Sequence, residues 1–291
     1  MKIDGKSIAS VILEDLKLKV NDLAKDGIVP TLAVILMGNN ESSDAYVRQK
    51  ELKAAEIGAK TLIYRFNESV DDNEIEDLVK KLDSDKNVHG IILQRPAPKY
   101  INAEKLEKLI SPKKEVDGFG ENSLYPVPVA QAVILALKKV YENEDENGNF
   151  EDWLKSKSII VLGKGETAGF PIINHFRKIG VEPEIIDSKT QNKNDILSKA
   201  DIIISAVGKP HTFEITSVKK GVILIGVGLT KNNEGKLVSD FSNEDAEKVT
   251  SFYSPTPGGV GPINVACLME NLVKACILNN PLTNSDNKLN N

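Results

Sequence analysis

Short apolar runs alternate with segments of helical periodicity in the first part of the chain. The apolar runs are "TLAVILMG" (31–38), "AKTLIYRF" (59–66) and "VHGIILQRP" (88–96), and helical patterns cover 42–57 and about 71–83. Strands that alternate with helices in this way are typical of βαβ units around a parallel sheet. This pattern predicts an α/β domain.

A second series of apolar runs begins at "SIIVLGKG" and continues through "EPEIIDS", "ADIIISAVG" and "GVILIGVG". Two series predict two sheets and hence two α/β domains, which we place at 1–125 and 126–261. A helix from Pro128 to about Tyr141 connects them and is followed by the acidic loop "ENEDENGN". The tail over 279–291 has almost no apolar residues and is expected to be disordered.

The composition narrows the class of protein. The 291 residues carry a formal net charge of −5, and the lysines and arginines are scattered along the chain, which argues against a nucleic-acid-binding surface. The N-terminal segment "MKIDGKSIASVILEDLK" has charges near its start and no long apolar run, so we expect neither a signal peptide nor a membrane anchor. We therefore expect a cytoplasmic protein with no nucleic-acid or membrane partner.

The cysteines and histidines do not indicate a metal site. Cys267 and Cys276 lie nine residues apart in one predicted helix, on opposite faces, so they cannot pair with each other and are expected to be reduced. His89, His175 and His211 have no metal-ligand spacing among themselves or with the cysteines. No metal cofactor is predicted.

A glycine-rich turn opens the second series. Gly163, Gly165 and Ala168 in "IIVLGKGETAGFPIINHF" form a G-x-G-x-x-A pattern directly after a strand and directly before a helix. Such glycines allow a tight bend and let backbone N–H groups approach a pyrophosphate at the helix N-terminus. Asp187 follows 187 − 163 = 24 positions after Gly163, where an acid accepts hydrogen bonds from an adenosine ribose. The ordinary alternative is a tight turn with a solvated aspartate.

We interpret this region as a Rossmann-like NAD(P)-binding domain. The loop "SAVGKP" (205–210) supports the interpretation, because it follows a later strand and ligands of open parallel sheets lie beyond the carboxyl ends of the strands. The predicted cofactor-binding residues are Gly163, Lys164, Gly165, Glu166, Ala168, Gly169, Asp187, Ser188, Val207, Gly208, Pro210 and Val227.

Five sequence blocks carry a resemblance to a known family. They are, in chain order, "SSDAYVRQK" (42–50), "GIILQRPAP" (90–98), "PKKEVDGF" (112–119), "SAVGKP" (205–210) and "SPTPGGVGPINVACLMENL" (254–272). Together they resemble the bifunctional methylenetetrahydrofolate dehydrogenase/cyclohydrolase family. The resemblance implies an N-terminal folate-binding domain completed by a C-terminal helix over 262–278, a Rossmann-like domain, a cleft between them and a homodimer.

The resemblance also implies the chemistry. The family oxidises 5,10-methylenetetrahydrofolate to the 5,10-methenyl form with NAD or NADP and hydrolyses that product to 10-formyltetrahydrofolate. Tyr46 and Lys50 lie four positions apart on one side of a predicted helix, and the resemblance places both at the one-carbon unit of the folate. Burial would lower the pKa of Lys50 so that it helps to activate water, Gln94 would hold it, and Tyr46 would pack beside the pterin and order the water.

The same resemblance assigns the remaining contacts to the folate. Asp117 in the "VDGF" block would bind the amino-pyrimidine edge of the pterin, and Ser43 would support the site, with a helix cap as an equal alternative. Ordinary alternatives are a solvated face for Lys50, a strand cap for Gln94 and an Asx turn for Asp117. Four further residues would shape a rigid loop over the site: Pro257, Gly258, Gly259 and Pro262.

The chain departs from the family at the cofactor loop. Lys164 and Gly165 stand where the family has an Arg-Ser pair that holds the 2′-phosphate of NADP, and Asp187-Ser188 stand where it often has His-Ser. A carboxylate would repel the phosphate, so NAD is favoured over NADP, although Lys164 could still contact a phosphate.

Three other departures bear on activity. "PVPVAQA" (126–132) lacks the threonine hydroxyl of the usual Pro-Cys-Thr-Pro, and Gly226 replaces an aspartate. Arg95 replaces a leucine beside Gln94, where its charge would lower the Lys50 pKa further. These changes keep two alternatives open: a dehydrogenase without cyclohydrolase activity, and a folate- or nucleotide-binding protein without catalysis.

Overall fold

A computed structural model describes residues 1–38, 41–67, 69–98, 100–120, 122–144, 148–232 and 237–280, without the side chains at positions 41, 42 and 231. From position 281 onward, the predicted tail lies outside the described residues. In chain order the elements are α1 (Gly5–Lys25), β1 (Thr31–Met37), α2 (Glu41–Glu56), β2 (Lys60–Phe66), α3 (Asp72–Ser84), β3 (Gly90–Leu93), α4 (Ala103–Glu107), α5 (Pro128–Glu144), α6 (Phe150–Lys155), β4 (Ile159–Leu162), α7 (Gly169–Lys178), β5 (Glu184–Ile186), α8 (Lys193–Leu197), β6 (Ile202–Ser205), a 3₁₀ turn (Ile215–Ser217), β7 (Ile223–Gly226), β8 (Leu229–Lys231), β9 (Leu237–Ser239), α9 (Asn243–Val249), β10 (Phe252–Tyr253) and α10 (Val260–Asn279).

The chain divides into two compact units. The first contains residues 10–128 and the chain from Val265 onward, and the second contains residues 1–9 and 129–264. The first unit is built on a parallel sheet in the order β2-β1-β3. Its central strand, β1, is buried at every position, which explains its unbroken apolar sequence.

Helix α3 covers one part of this core, and a buried lysine from a later segment, Lys114, contacts its C-terminal end. Its apolar face packs against side chains of β1 and β3. The Nζ of Lys114 donates to the carbonyl oxygens of Leu82 (3.2 Å), Asp83 (2.7 Å) and Asp85 (2.7 Å). Lys114 therefore adds a donor at the end of α3, where Leu82 and Asp85 each also accept one backbone N–H, and so stabilises this helix end.

The second unit holds a five-stranded parallel sheet in the order β10-β7-β6-β4-β5. Counted from β4, this is the doubly wound order whose switch point lies between the first and third strands, here β4 and β6. Both strands are fully buried, and an antiparallel pair, β8-β9, follows β7. The predicted fold class of two α/β domains with parallel sheets is confirmed.

The N-terminal residues group differently from the predicted boundaries. We placed residues 1–125 in one domain, but residues 1–9 belong to the second unit. Lys2 forms a parallel bridge with Tyr253, and the Ile3 N–H donates to the Tyr253 carbonyl over 2.8 Å. Local periodicity carries no information about a pairing between residues so far apart in the sequence.

The connecting segment is more helical than predicted. Helix α5 begins at Pro128 but continues past Tyr141, and α6 follows before the second sheet. The side chain of Asn149 caps α6 by accepting from the N–H groups of Glu151 (2.8 Å) and Asp152 (3.2 Å). The predicted loop at 142–149 is therefore shorter, and its residues 145–147 lie outside the described residues.

Candidate active site and cofactor-binding loops

A buried lysine and a glutamine form the centre of the candidate site in the first unit. Lys50 lies on α2 with 9% of its surface exposed, and its Nζ donates to Oε1 of Gln94 over 3.0 Å. The backbone N–H of Gln94 donates to the Ile35 carbonyl on β1 (2.9 Å), so the sheet fixes its position. Its Nε2 donates to the Arg95 carbonyl (2.8 Å), which turns the amide oxygen toward Lys50.

Burial lowers the pKa of Lys50, because an ammonium loses its hydration in the protein interior. The nearby carboxylate of Asp117 acts in the opposite direction and raises the pKa in part. Burial is the larger effect, so this amine gives up its proton more readily than an exposed lysine does. A neutral amine in this position can accept a proton from water.

Arg95 does not act on Lys50 in the way the sequence led us to expect. Its Nη2 contacts both carboxylate oxygens of Glu107 on α4 (2.7 and 2.8 Å), and its Nε contacts one of them (3.0 Å). The guanidinium carbon also lies 5.0 Å from the ring centroid of Phe119. The Lys50 pKa responds to burial and Asp117. The expected further lowering by Arg95 is not among these causes, and the arginine charge is paired with Glu107.

Tyr46 and Ser43 occupy the first two turns of α2 and differ in exposure. Tyr46 is 37% exposed, and the partial burial of its side chain raises the pKa of its hydroxyl. The hydroxyl therefore stays protonated and can donate a hydrogen bond. Ser43 is 2% exposed and is the third residue of the helix, past the N-cap position, so the cap alternative does not apply.

Asp117 lies in a half-buried turn among other carboxylates. Gly118 follows it with φ +79, and a Cβ there would lie 2.6 Å from the Val127 backbone nitrogen, so only glycine fits the turn. The charge of Asp117 raises the pKa values of both Glu107 and Glu115, although burial contributes more to each. This cluster places negative charge near Lys50 and Arg95.

The "PGGVGP" block belongs to the second unit. The Gly259 N–H donates to the Pro255 carbonyl (2.8 Å), which closes a turn around Pro257 and Gly258. Helix α10 begins at Val260, so Pro262 lies in its first turn rather than in the predicted loop. Proline is tolerated there because the first helical N–H groups have no partner within the helix. The predicted contact of this block with folate stays a prediction.

The glycine turn of the second unit is closely packed. Gly163 follows β4 with φ +87, and a Cβ at this residue would lie 2.9 Å from the Ala206 carbonyl oxygen. A Cβ at Gly169, the first residue of α7, would lie 2.1 Å from the Gly163 carbonyl oxygen. Around a Cβ at Gly165, by contrast, no atom lies within 4 Å. The turn therefore has one side packed against the protein and one open side.

Asp187 is held by an ion pair that the sequence did not predict. Its Oδ2 lies 2.8 Å from the Nζ of Lys164, and its Oδ1 accepts from the Lys189 N–H over 2.9 Å. The hydrogen bond from Lys164 lowers the pKa of Asp187 to about 2. The predicted residues Lys164 and Asp187 are thus brought together, and the carboxylate stays charged at neutral pH.

Two domain models of one protein family match most of the chain. Residues 3–117 match "Tetrahydrofolate dehydrogenase/cyclohydrolase, catalytic domain", and residues 148–280 match the NAD(P)-binding domain of the same family. The chain belongs to this family. The resemblance read from the five sequence blocks is therefore confirmed.

Known members of the tetrahydrofolate dehydrogenase/cyclohydrolase family are similar over nearly their whole length. The bifunctional protein FolD of Acetivibrio thermocellus is 36% identical over 283 residues, which are 95% of this chain and 96% of the relative. The structure of the bifunctional enzyme FolD from Campylobacter jejuni has a TM-score of 0.85 at 33% identity and covers 95% of this chain and 98% of its own. The Trypanosoma brucei FolD, solved with NADP cofactor and an inhibitor, has a TM-score of 0.84 at 26% identity, with coverages of 95% and 97%.

Three buried polar residues of this family member escaped the sequence analysis. Glu107 binds Arg95, and Asp240 binds the loop after β6. Asn271 on α10 donates to the carbonyl oxygens of Val116 and Pro126, each over 2.9 Å, and so holds both ends of the segment that contains Asp117. Asn271 lies within the block 254–272, but the block gave it no role, and Glu107 and Asp240 lie outside the five blocks.

The thiols and the apolar helix need no special role in this family member. Cys267 and Cys276 are free and buried, as predicted, and burial raises the pKa of each to about 12. In the described ranges, no group of three or more His, Cys, Asp or Glu residues is placed to hold a metal ion.

Helix α10 is long and apolar enough to span a membrane. However, 67% of its apolar 18-residue segment is buried inside the protein, as in the core helix of a soluble protein.

Proposed function

We propose how this family member carries out its two reactions. The chain is a bifunctional enzyme of folate one-carbon metabolism. It oxidises 5,10-methylenetetrahydrofolate to 5,10-methenyltetrahydrofolate with a nicotinamide cofactor, and it hydrolyses that product to 10-formyltetrahydrofolate. The observation that carries our assignment of roles is the buried amine of Lys50, held 3.0 Å from Gln94.

Lys50 is the group that activates water for hydrolysis. Its lowered pKa increases the share of neutral amine, which avoids the repulsion that an ammonium would exert on the methenyl cation. Gln94 accepts an N–H of Lys50 and so fixes the direction of the side chain. The amine takes a proton from water as the water oxygen bonds to the methenyl carbon, which gives a neutral carbinol. The bond from this carbon to N5 then breaks, N5 gains a proton and the hydroxyl loses one, so that the formyl group stays on N10.

The folate ring is bound by groups near this amine. The Asp117 carboxylate accepts two N–H bonds from the amino-pyrimidine edge, and the half-buried ring of Tyr46 packs beside the pterin. The Tyr46 hydroxyl, kept protonated by its raised pKa, donates to the attacking water. Ser43 supports the start of α2.

The second unit binds the cofactor. A dinucleotide fits the glycine turn because its packed side allows no side chain and its open side, at Gly165, has room for a pyrophosphate. When bound, the nicotinamide takes the hydride from the methylene carbon. The other residues that would line this site follow β4, β5, β6 and β7: Glu166, Ala168, Ser188, Val207, Gly208, Pro210 and Val227.

We favour NAD over NADP as the cofactor. The Asp187 carboxylate remains charged at neutral pH and would repel a 2′-phosphate, whereas it can accept hydrogen bonds from a ribose. Lys164 is already bound to Asp187 over 2.8 Å, so a phosphate would have to compete for this cation. Both observations support NAD.

The test measures both activities with both nucleotides. Purified protein receives methylenetetrahydrofolate with NAD⁺ or NADP⁺, and the reduced nicotinamide and the 10-formyl product are recorded. We expect the wild type to have a higher kcat/KM with NAD⁺ than with NADP⁺. Asp187→Ala should raise the ratio of kcat/KM for NADP⁺ to kcat/KM for NAD⁺ about tenfold. Glu182→Ala is the matched control, because Glu182 is also a carboxylate paired with a basic residue, Arg177, but lies on the exposed surface. An unchanged ratio in Asp187→Ala would reject the cofactor assignment.

Two of the substitutions that motivated the alternative functions have a packing or charge explanation. Arg95 motivated a dehydrogenase without hydrolysis, but its charge is compensated by Glu107. Gly226 motivated a binding protein, but a Cβ there would lie 2.8 Å from Ser239 Oγ and 2.9 Å from Phe241 Cζ, so packing accounts for the glycine. Accumulation of the methenyl intermediate in the turnover assay would restore the first alternative.

We also propose that the enzyme is a cytoplasmic homodimer, on the basis of the family resemblance. Light scattering on the purified protein tests the dimer, and a mass equal to one chain would reject it.

A further inference from the structure

The carboxylate of Asp240 collects hydrogen bonds from the loop that follows β6. Asp240 comes directly after β9 and is fully buried. Its Oδ2 accepts from the Ser205 hydroxyl over 2.6 Å and from the Val207 N–H over 2.9 Å. Its Oδ1 accepts from the Lys209 N–H over 2.9 Å. Three donors from one loop therefore converge on one side chain.

The chain leaving β7 packs against the same carboxylate. A Cβ at Gly228 would lie 2.4 Å from Oδ2 of Asp240 and 2.4 Å from the Gly208 backbone nitrogen, so any side chain would displace one of them. The N–H groups of Val227 and Gly228 donate to the Ser205 carbonyl over 2.8 and 3.0 Å. The loop after β6 is thus fixed from two directions.

This loop lies at the switch point of the sheet, next to the glycine turn. Ser205 pairs with Leu162 at the ends of β6 and β4, and the Ala206 N–H donates to the Leu162 carbonyl over 2.8 Å. The Ala206 carbonyl is also the group that packs against Gly163. A shift of the loop would therefore change the surface on which a nucleotide is received.

We propose that Asp240 is a positioning residue for the nicotinamide cofactor, acting by holding the loop Ser205–Lys209 in the conformation that binds it. This inference rests on the proposed function of the second unit. A carboxylate suits the position because all three groups that reach it are donors, and a carboxylate offers acceptors only. Asp240→Asn keeps the size of the side chain but turns an amide N–H toward at least one of these donors.

The experiment separates nucleotide binding from the reaction that needs no nucleotide. The dissociation constants of NAD⁺ and NADP⁺ are measured by calorimetry on the full-length protein, and the hydrolysis of methenyltetrahydrofolate is measured without nucleotide. We expect Asp240→Asn to weaken binding of the preferred nucleotide about tenfold or more, and Ser205→Ala, which removes one of the three donors, about threefold. Hydrolysis should change less than about twofold in both, because Lys50 and Gln94 lie in the other unit.

Ser239→Ala is the matched control. Ser239 is a buried serine next to Asp240, and its hydroxyl has no hydrogen-bond partner among the described residues, so its loss should leave both measurements unchanged. If Asp240→Asn binds the nucleotide as tightly as the wild type, the inference is wrong. If Asp240→Asn does not fold, Ser205→Ala decides, and unaltered nucleotide binding in that variant also overturns the inference. A wild-type protein that binds neither nucleotide would instead reject the proposed cofactor site itself.

Discussion

Replacement of Lys50 by methionine should change the pH dependence of stability as well as the activity. Methionine matches the lysine stem in length and suits a site that is 9% exposed, so we expect Lys50→Met to fold. This burial argues against the ordinary alternative of a solvated face for Lys50. A buried lysine couples its protonation to folding, and this coupling can be measured without any substrate.

The sign follows from the lowered pKa. In the unfolded chain, Lys50 titrates near its ordinary value of about 10.4, whereas burial lowers its pKa in the folded protein. Between the two values the unfolded state binds more protons, so the free energy of unfolding rises with pH across this window and is reduced below it. Each unit of lowering corresponds to about 1.4 kcal/mol, and the slope cannot exceed about 1.4 kcal/mol per pH unit.

The loss of the hydrogen bond to Gln94 adds a constant penalty. Lys50→Met leaves the Gln94 Oε1 without its lysine donor, which costs about 1–3 kcal/mol at every pH. The difference between wild type and variant should therefore have a fixed offset and a pH-dependent part. Only the second part reports on the buried ammonium.

The assay is urea unfolding of wild type and Lys50→Met from about pH 6 to pH 10, with Lys53→Met as the control. Lys53 lies on the same helix, with 33% of its side chain exposed and its Nζ 2.6 Å from Glu56, so its replacement should give a much flatter difference curve. The free energy of unfolding of the wild type should increase relative to that of Lys50→Met as the pH rises. In parallel, kcat/KM for hydrolysis should rise with pH through the same pKa, since kcat/KM reports the free enzyme. A flat difference curve, or hydrolysis that persists in Lys50→Met, would refute the reasoning.

Three further substitutions test the packing around the two sites. Glu107→Gln should destabilise the protein by about 1–3 kcal/mol in urea unfolding, because it removes the countercharge of the half-buried Arg95 guanidinium. Restoration by the double variant with Arg95→Leu is expected, and its absence would contradict this explanation. Lys114→Met should cost about 1–3 kcal/mol by removing a shared donor from three carbonyls at the end of α3, of which those of Leu82 and Asp85 keep a backbone N–H donor, and a thermal midpoint equal to wild type would argue against the capping role. Gly169→Ala should weaken nucleotide binding at least about tenfold while hydrolysis is kept, because its Cβ would lie 2.1 Å from the Gly163 carbonyl oxygen; calorimetry decides.

The sequence was sufficient for the elements whose signals are local. Strands β1, β3, β4 and β6 are buried at all positions, so their apolar runs stand out without any knowledge of the fold. The glycine turn was also evident, because its spacing between a strand and a helix is itself the signal. The sequence analysis missed helix α6, because the acidic composition of the segment indicated a loop. Asn149 at the N-cap with Glu151 and Asp152 in the first turn is nevertheless a recognisable helix start.

Features that depend on distant residues could not be predicted in this way. The bridge between Lys2 and Tyr253 moves nine residues into the other unit, and no local pattern precedes it. Asp240 lies 35 positions after Ser205, and nothing in "LVSDFS" distinguishes it from a surface aspartate. The family resemblance supplied Lys50, Gln94 and Asp117, but it did not supply the buried side chains that orient them.

The pairing of Arg95 with Glu107 explains how this chain accommodates an arginine beside Lys50 and Gln94, the proposed catalytic residues. An uncompensated cation near Lys50 would lower the lysine pKa and would also repel the methenyl cation of the substrate. Glu107 is only 9% exposed, and its contacts with Arg95 at 2.7 and 2.8 Å place a carboxylate against the new charge. The same logic applies at the cofactor loop, where Lys164 stands against Asp187. Both departures therefore bring a charge together with its counter-charge, so that the electrostatic field at each reacting group is set by the pair and not by the substituted residue alone.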